Sequence, residues 1–381
     1  MRRVYLDNAA TTRQKPDSVK KAILDYMEEI ACSPGRGGYK CSLEAGRTIL
    51  NARKTTANFF NVPDPKQVIF THNITYALNM GIKGLIKNGD HIITTMMEHN
   101  AVVRPLKSIE NSKDIEVDYI ECNNKGFLEA ENLEKAIKKN TKLIVITYAS
   151  NVSGSIMPVE EIARIANKHD IFFMLDTAQA AGVYNIDFEE LNVDSLAFTG
   201  HKALMGPPGT GGFAVSKKMA KEIDPLIEGG TGSISDKEVQ PDFLPDKFES
   251  GTMNTQGIAG LKAGIEFIDQ KGIENIKEHK VKLSRRFIKG LKNIKKISIH
   301  GPADAEKQSS TISISVEGYD SGNLSFMLDN EYGIMTRSGL HCAPLAHKTL
   351  GTYPEGTLRF SIGFFNTAEE IDYTLNVLAN L

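Results

Sequence analysis

Between about residues 65 and 220 the chain alternates short, β-branched apolar runs with stretches whose apolar residues recur at helical spacing. Gln67–Thr71, His91–Thr95, Ile115–Glu121, Lys142–Tyr148, Ile171–Leu175, Ser195–Phe198 and Gly212–Ser216 read as strands. Residues 75 to 87 place Leu78, Ile82 and Leu85–Ile86 on one helical face, and the patterns at 133–139 and 159–169 also predict helices. This alternation predicts an α/β domain with a largely parallel sheet, and the near-continuous apolar strands fit a sheet covered on both faces. The punctuation changes after about residue 225, where Glu228–Gly232 and the stretch 241–245 are turn-rich. A long helical pattern over 257–291 follows. A Ser/Thr-rich strand at 311–316, a helix at 324–330, a strand at 357–362 and a final helix at 368–378 come next. This half predicts a smaller α+β domain.

A length of 381 residues suits two domains, and 41% apolar with 24% charged residues is ordinary for a folded chain. The net charge of −2 gives no footprint for wholesale nucleic-acid binding. The strongest charge run, 271–300, holds ten Lys/Arg against two Glu. Ile276, Leu283, Phe287, Leu291 and Ile294 recur within it at helical spacing, so it reads as an amphipathic helix with a solvated lysine face. No apolar stretch approaches the roughly 18 residues of a membrane span. The opening MRRVYLDNAATT lacks a signal peptide's apolar region, so the cytoplasm is the expected location. The four cysteines, Cys32, Cys41, Cys122 and Cys342, include no CxxC pair and make no disulfide framework.

In open α/β sheets ligands bind beyond the carboxyl ends of the strands, so the residues that follow each strand carry the candidate chemistry. They are His72, Asn73 and Thr75; Glu98 and His99; Ser150, Asn151 and Ser153; Asp176, Thr177 and Gln179; and Thr199, His201 and Lys202. Singly, Asn73, Thr75 and Asp176 also read as helix caps, Asn151 as a turn residue and His99 as a satisfied core histidine. Jointly they converge on one rim. A carboxylate after a buried strand holds a metal beside a nucleotide or pairs with a protonated ring nitrogen. The segment 206–212, GPPGTGG, looks like the start of a phosphate loop, but Gly212 stands where its lysine belongs and a strand follows instead of a helix. The ring-nitrogen alternative explains more. Pyridoxal phosphate needs a lysine for its aldehyde, met by Lys202, and an acidic partner for its ring nitrogen, met by Asp176. It also needs a helix N-terminus for its phosphate, offered after Asn73–Thr75.

YLDNAATT at the N-terminus, MLDTAQ around Asp176 and Gln179, and FTGHK ending in Lys202 resemble the fold-type I, class V aminotransferase-like enzymes. FESGTMNT (248–255), RSGLHCAP (337–344) and LRFSIGFFNT (358–367) are similar to the cysteine desulfurase branch, closest to its group II, SufS-like or selenocysteine-lyase-like, form. The resemblance runs from residue 5 to 367. It implies Lys202 as the Schiff-base lysine, Asp176 as the ring-nitrogen partner, His99 stacked on the ring and Gln179 on the ring hydroxyl, with Asn151 nearby. Asn73, Thr75, Thr199 and His201 would meet the phosphate, with Thr252 supplied by the neighbouring subunit of a homodimer. Arg359 would clamp the substrate carboxylate, with Asn151 beside it; a bidentate guanidinium suits that task. Cys342 would take the substrate sulfur as a thiolate, with the adjacent His341 a candidate for lowering its pKa. Two positions depart from the family pattern: Asn100 replaces a second histidine, and Asn73-Ile74-Thr75 carries one hydroxyl fewer than the usual phosphate segment.

The implied fold is a large α/β/α domain over 16–245 with a smaller unit built from 1–15 and 246–381. The implied activity is conversion of L-cysteine to L-alanine with a persulfide on Cys342, from which an acceptor, small thiol or protein, takes the sulfur. No metal is implied. The alternatives are a selenocysteine lyase using the same residues and a class V aminotransferase without sulfur transfer.

Overall fold

The computed structural model describes residues 2–34 and 37–381. A two-residue strand, β1 (Val4–Tyr5), precedes α1 (Asp17–Asp25), a π-helical turn (Tyr26–Ile30) and α2 (Lys40–Phe59). The alternating segment then runs β2 (Val68–Thr71), α3 (Ile74–Leu85), β3 (His91–Thr95), α4 (Asn100–Glu110), β4 (Glu116–Ile120) and α5 (Ala130–Lys135). It continues with β5 (Thr141–Thr147), α6 (Val159–Lys168), β6 (Phe172–Asp176), β7 (Ser195–Thr199) and β8 (Gly211–Val215). Three helices, α7 (Lys217–Glu222), α8 (Thr255–Lys271) and α9 (Ile273–Leu291), lead to β9 (Ile297–His300), β10 (Thr311–Val316) and α10 (Ser321–Tyr332). The chain ends through β11 (Ile334–Met335), β12 (Arg337–Gly339), α11 (Pro344–Thr349), β13 (Thr357–Ser361) and α12 (Ala368–Ala379).

The large sheet has the order β2-β8-β7-β6-β5-β3-β4 and is parallel apart from β8, which runs antiparallel to both neighbours. Every residue of β3, β6, β7 and β8 is buried, as a sheet with helices on both faces requires. The period of two divides their side chains. Ile92, Val145, Met174, Ala197 and Phe213 pack with α3 and α4, whereas Ile144, Ile146, Phe173, Leu175 and Phe198 pack with α2, α6 and α8. Each Val, Leu, Ile, Met or Phe among them contributes about 1.5–3 kcal/mol on burial, so the strand ends beyond this core stand on a rigid frame.

The second sheet, β12-β13-β10-β9, is antiparallel and covered by α9, α10 and α12. The N-terminal segment belongs beside it: β1 pairs with β11, and Asp7 bridges to Ser361. The helical pattern over 257–291 is two helices, because Gly272 (φ 79°) ends α8 in a left-handed conformation that L-residues rarely adopt. The helix expected over 133–139 instead spans 130–135: the Lys138 N–H turns to the Thr141 hydroxyl (2.7 Å), closing the loop into β5. α8 lies beyond the expected boundary at 245, yet it packs against α1 and α2 and shares the large-sheet core. No helix among the described residues is long and apolar enough to cross a membrane.

Candidate active site

At the carboxyl ends of β3, β5, β6 and β7 lies a cavity of about 280 Å³. The structure brings together there Asn73, Thr75, His99, Asn151, Asp176, Gln179, Thr199, His201, Lys202 and Arg359. Two expected residues lie outside its lining: Cys342 is exposed, and Thr252 lines a separate recess with His72, Tyr76 and Ile227.

Each strand end is shaped locally. Beyond β2, the Asn73 carboxamide caps α3 by accepting the Tyr76 N–H (3.2 Å). Gly211 of β8 lets the sheet approach this cap, since a Cβ there would stand 2.8 Å from the Asn73 backbone. Beyond β6, one Asp176 oxygen accepts the Ala178 N–H (2.8 Å), and burial raises its pKa against the opposing charge of Lys202. Beyond β7, the Thr199 hydroxyl is buried without a hydrogen-bond partner among the described residues. Burial lowers Lys202 to about 8 and His201 to about 4.

Beyond β3, His99 caps α4: its Nδ1 accepts the Ala101 N–H (3.0 Å). The ring proton therefore sits on Nε2. Burial, reinforced by the charges of Lys202 and Arg337, lowers this histidine to about 4, so the ring is neutral at ordinary pH. Its neighbour Glu98 lies beneath the site with Oε1 accepting from the Thr95 hydroxyl (2.7 Å) and the Thr147 N–H (3.1 Å). Burial raises Glu98 to about 8, which keeps it mostly protonated near neutrality.

The smaller sheet closes the cavity with cations. Arg359 on β13 is 1% exposed; it donates to the Asp7 carboxylate (2.6 Å) and to the Asn151 carbonyl (3.0 Å), while its Nε has no partner among the described residues. Directly across the ladder stands Arg337, and both line the cavity. Two like charges opposite each other on neighbouring strands are unfavourable, so the pair is suited to an anion. Asn151 ties the two sheets together, its Nδ2 donating to the His341 carbonyl (2.7 Å). The Gln179 amide donates to the Ala9 carbonyl (3.1 Å), fixing the N-terminal segment over the site.

Cys342 sits on the rim, its carbonyl accepting the Asn100 N–H (2.7 Å). The thiol's neighbour is Arg337, whose Nη2 is 3.6 Å from Sγ. This corrects the expectation for His341. Its ring turns inward, to the Arg337 carbonyl (3.1 Å) and to His347 (3.2 Å), because it is the buried member of the pair. Sequence reasoning passed over Arg337, Asp7 and the inward role of His341. The signal for Arg337 was a lone cation in the small-residue run RSGLHC.

The architecture is that of the fold-type I class, with a lysine after a central strand and a smaller antiparallel sheet closing over it. The chain belongs to the class-V aminotransferase family, whose model matches residues 4–374. It is 34% identical, over 99% of its length and 94% of the relative's, to a probable cysteine desulfurase of Pyrococcus abyssi. It is 30% identical to a cysteine desulfurase of Haloferax volcanii, over 98% of this chain and 88% of that one. Among solved structures, the apo cysteine desulfurase of Thermococcus onnurineus superposes with a TM-score of 0.92 at 32% identity, covering 99% of this chain and 94% of that one.

Proposed function

We propose that the protein is a pyridoxal-phosphate-dependent cysteine desulfurase, and the observation that carries this reading is the pairing of Lys202 with Asp176 in one cavity. Each feels the other's charge, and no ion pair joins them among the described residues. The chemistry of a pyridine aldehyde suits both ends: the amine meets the aldehyde carbon, and the carboxylate meets a protonated ring nitrogen. The partnerless Thr199 hydroxyl and the capped N-terminus of α3 supply donors for a phosphate, so the residues present fit the group.

In this reading Asn73, Thr75, Thr199 and His201 hold the phosphate, His99 lies against the ring and Gln179 meets the ring hydroxyl. When bound, the cofactor supplies an acceptor for the electron pair left by a broken Cα–H bond. Arg359 and Asn151 bind the carboxylate of L-cysteine and orient it. Lys202 removes the Cα proton, and its pKa near 8 leaves a usable neutral fraction close to neutrality. The Cys342 thiolate attacks the substrate sulfur; an S–S bond forms, the Cβ–S bond breaks with its electron pair going to Cβ, and protonation at Cβ, with a proton returned to Cα by Lys202, gives alanine. The persulfide is then offered on the exposed rim to an acceptor thiol. Thr252 serves a second copy of the chain. The half-exposed Tyr76 and Ile227 beside it support an apolar partner surface. We assign the protein to the group II branch on RSGLHCAP and to the cytoplasm.

The test incubates the purified protein with L-cysteine, reads alanine and sulfide, and maps the borohydride-reduced peptide. A cofactor adduct at Lys202, and turnover that disappears in C342A, are expected. No adduct at Lys202 overturns the cofactor assignment. Wild-type turnover by C342A overturns the persulfide step, and turnover on selenocysteine alone favours a lyase.

A further inference from the structure

Behind the Cys342 rim lies a chain of three buried side chains that the reaction does not use. Thr352, His347 and His341 are 6%, 0% and 3% exposed. The direction of the chain follows from its ends. The Arg337 carbonyl can only accept, so His341 Nε2, 3.1 Å away, carries a proton. His341 Nδ1 is then an acceptor, and His347 Nε2 donates to it across 3.2 Å. His347 Nδ1 in turn accepts from the Thr352 hydroxyl at 2.7 Å. Burial lowers the two histidines to about 3 and about 4, so neither protonates and the order persists at any ordinary pH.

The chain ends on a strained turn. His341 (φ 49°) and Cys342 (φ 56°) are consecutive non-glycine residues in the left-handed region, a conformation costing roughly 1–3 kcal/mol per residue. Their carbonyls are held by Asn151 and by the Asn100 N–H, both at 2.7 Å, which anchors the turn to the large sheet. The ring of His341 anchors it to α11 and the loop beyond. That ring also fixes the backbone of Arg337, whose guanidinium reaches the Cys342 sulfur.

We propose that Thr352 and His347 are positioning residues that act through the His341 ring to hold the left-handed His341–Cys342 turn, and so set where the Cys342 thiol meets the substrate sulfur. They touch neither substrate nor cofactor. Removing the Thr352 hydroxyl leaves His347 Nδ1 without a donor and frees His347 to reverse its tautomer, which would set two lone pairs face to face.

The inference rests on Cys342 as the sulfur-accepting thiol. The test compares T352V with T352S and C342A in the cofactor-loaded enzyme, and reads the histidine ring nitrogens of the wild type by NMR. T352V lowers kcat for alanine formation about tenfold or more, the scale set by a misplaced reacting group, with KM unchanged. It also changes the rate at which iodoacetamide labels Cys342, and T352S restores both. His341 and His347 both appear as the neutral Nε2–H tautomer. An Nδ1–H tautomer at His347 overturns the proposal even if T352V fails to fold. So does wild-type kcat in T352V, or a loss that T352S does not recover. If C342A turns over normally, the persulfide reading fails instead; an inactive C342A beside a normal T352V overturns only the positioning role.

Discussion

The Arg359 guanidinium, buried on β13, donates to the carboxylate of Asp7 at 2.6 Å, across 352 residues of chain. Asp7 belongs to the N-terminal segment that pairs with the smaller sheet, so chain entry, sheet and cavity meet at one ion pair. Lysine cannot reproduce the fork that serves Asp7 and the Asn151 carbonyl and, in the proposed function, a substrate carboxylate. R359K therefore loses one charge-assisted bond to substrate, about 2 kcal/mol, which appears as a rise in KM of about 30-fold. Steady-state kinetics on L-cysteine read it directly. A KM within twofold of wild type would remove Arg359 from the carboxylate site.

Glu98 makes a pH prediction with a definite sign. Burial raises its pKa from 4.5 in the unfolded chain to about 8 in the fold. The folded state thus binds the extra proton between these values. The stability this provides is complete below 4.5 and is lost as pH rises through 8. E98Q mimics the protonated form and has no such loss. Its stability relative to wild type should rise by about 1.4 kcal/mol per pH unit across that window, and level off above it. Urea denaturation at a series of pH values measures the difference, and a flat difference would mean that Glu98 is ionised in the fold.

Arg53 of α2 and Glu249 form a buried bidentate pair, two contacts of 2.7 Å with side chains 6% and 7% exposed. Glu249 also accepts the Phe70 N–H (2.7 Å), which locks β2 and hence the start of α3. R53M strands a buried carboxylate and should cost about 3 kcal/mol or more. Adding E249Q removes the charge yet keeps an acceptor for Phe70, so the double variant should be more stable than R53M alone. Denaturant midpoints decide between this and simple additivity.

How much of this was legible depended on whether local pattern and tertiary role agreed. The inner strands β5 to β8 are largely apolar on both faces, so their runs were visible, and the polar residues that end them fell on one rim as the parallel sheet requires. By contrast α2 buries Ser42, Arg53 and Thr56 along its inner face, which blurs the apolar period there. The break at Gly272 was hidden because apolar spacing continues through it from Ile268 to Ile276. His341 misled for a related reason: adjacency to Cys342 says nothing of side-chain direction when two successive residues turn left-handed. The Arg337–Arg359 opposition depends on a register that no local spacing reveals.

Thr199 offers a way to separate a ligand's needs from the fold's. Its hydroxyl is buried at the end of β7 with no hydrogen-bond partner among the described residues, which is costly unless something else accepts or donates there. Valine has the same shape and suits a buried strand. In the cofactor-free chain T199V should therefore be as stable as wild type, or more stable by up to about 1 kcal/mol. If Thr199 meets the phosphate as proposed, the same change in the loaded enzyme removes a hydrogen bond to a charged group, about 2 kcal/mol, so cofactor affinity should fall about 30-fold. Thermal unfolding of the cofactor-free chain and titration with pyridoxal phosphate read the two effects separately. A less stable T199V with unchanged affinity would mean that the hydroxyl serves the fold and not the phosphate.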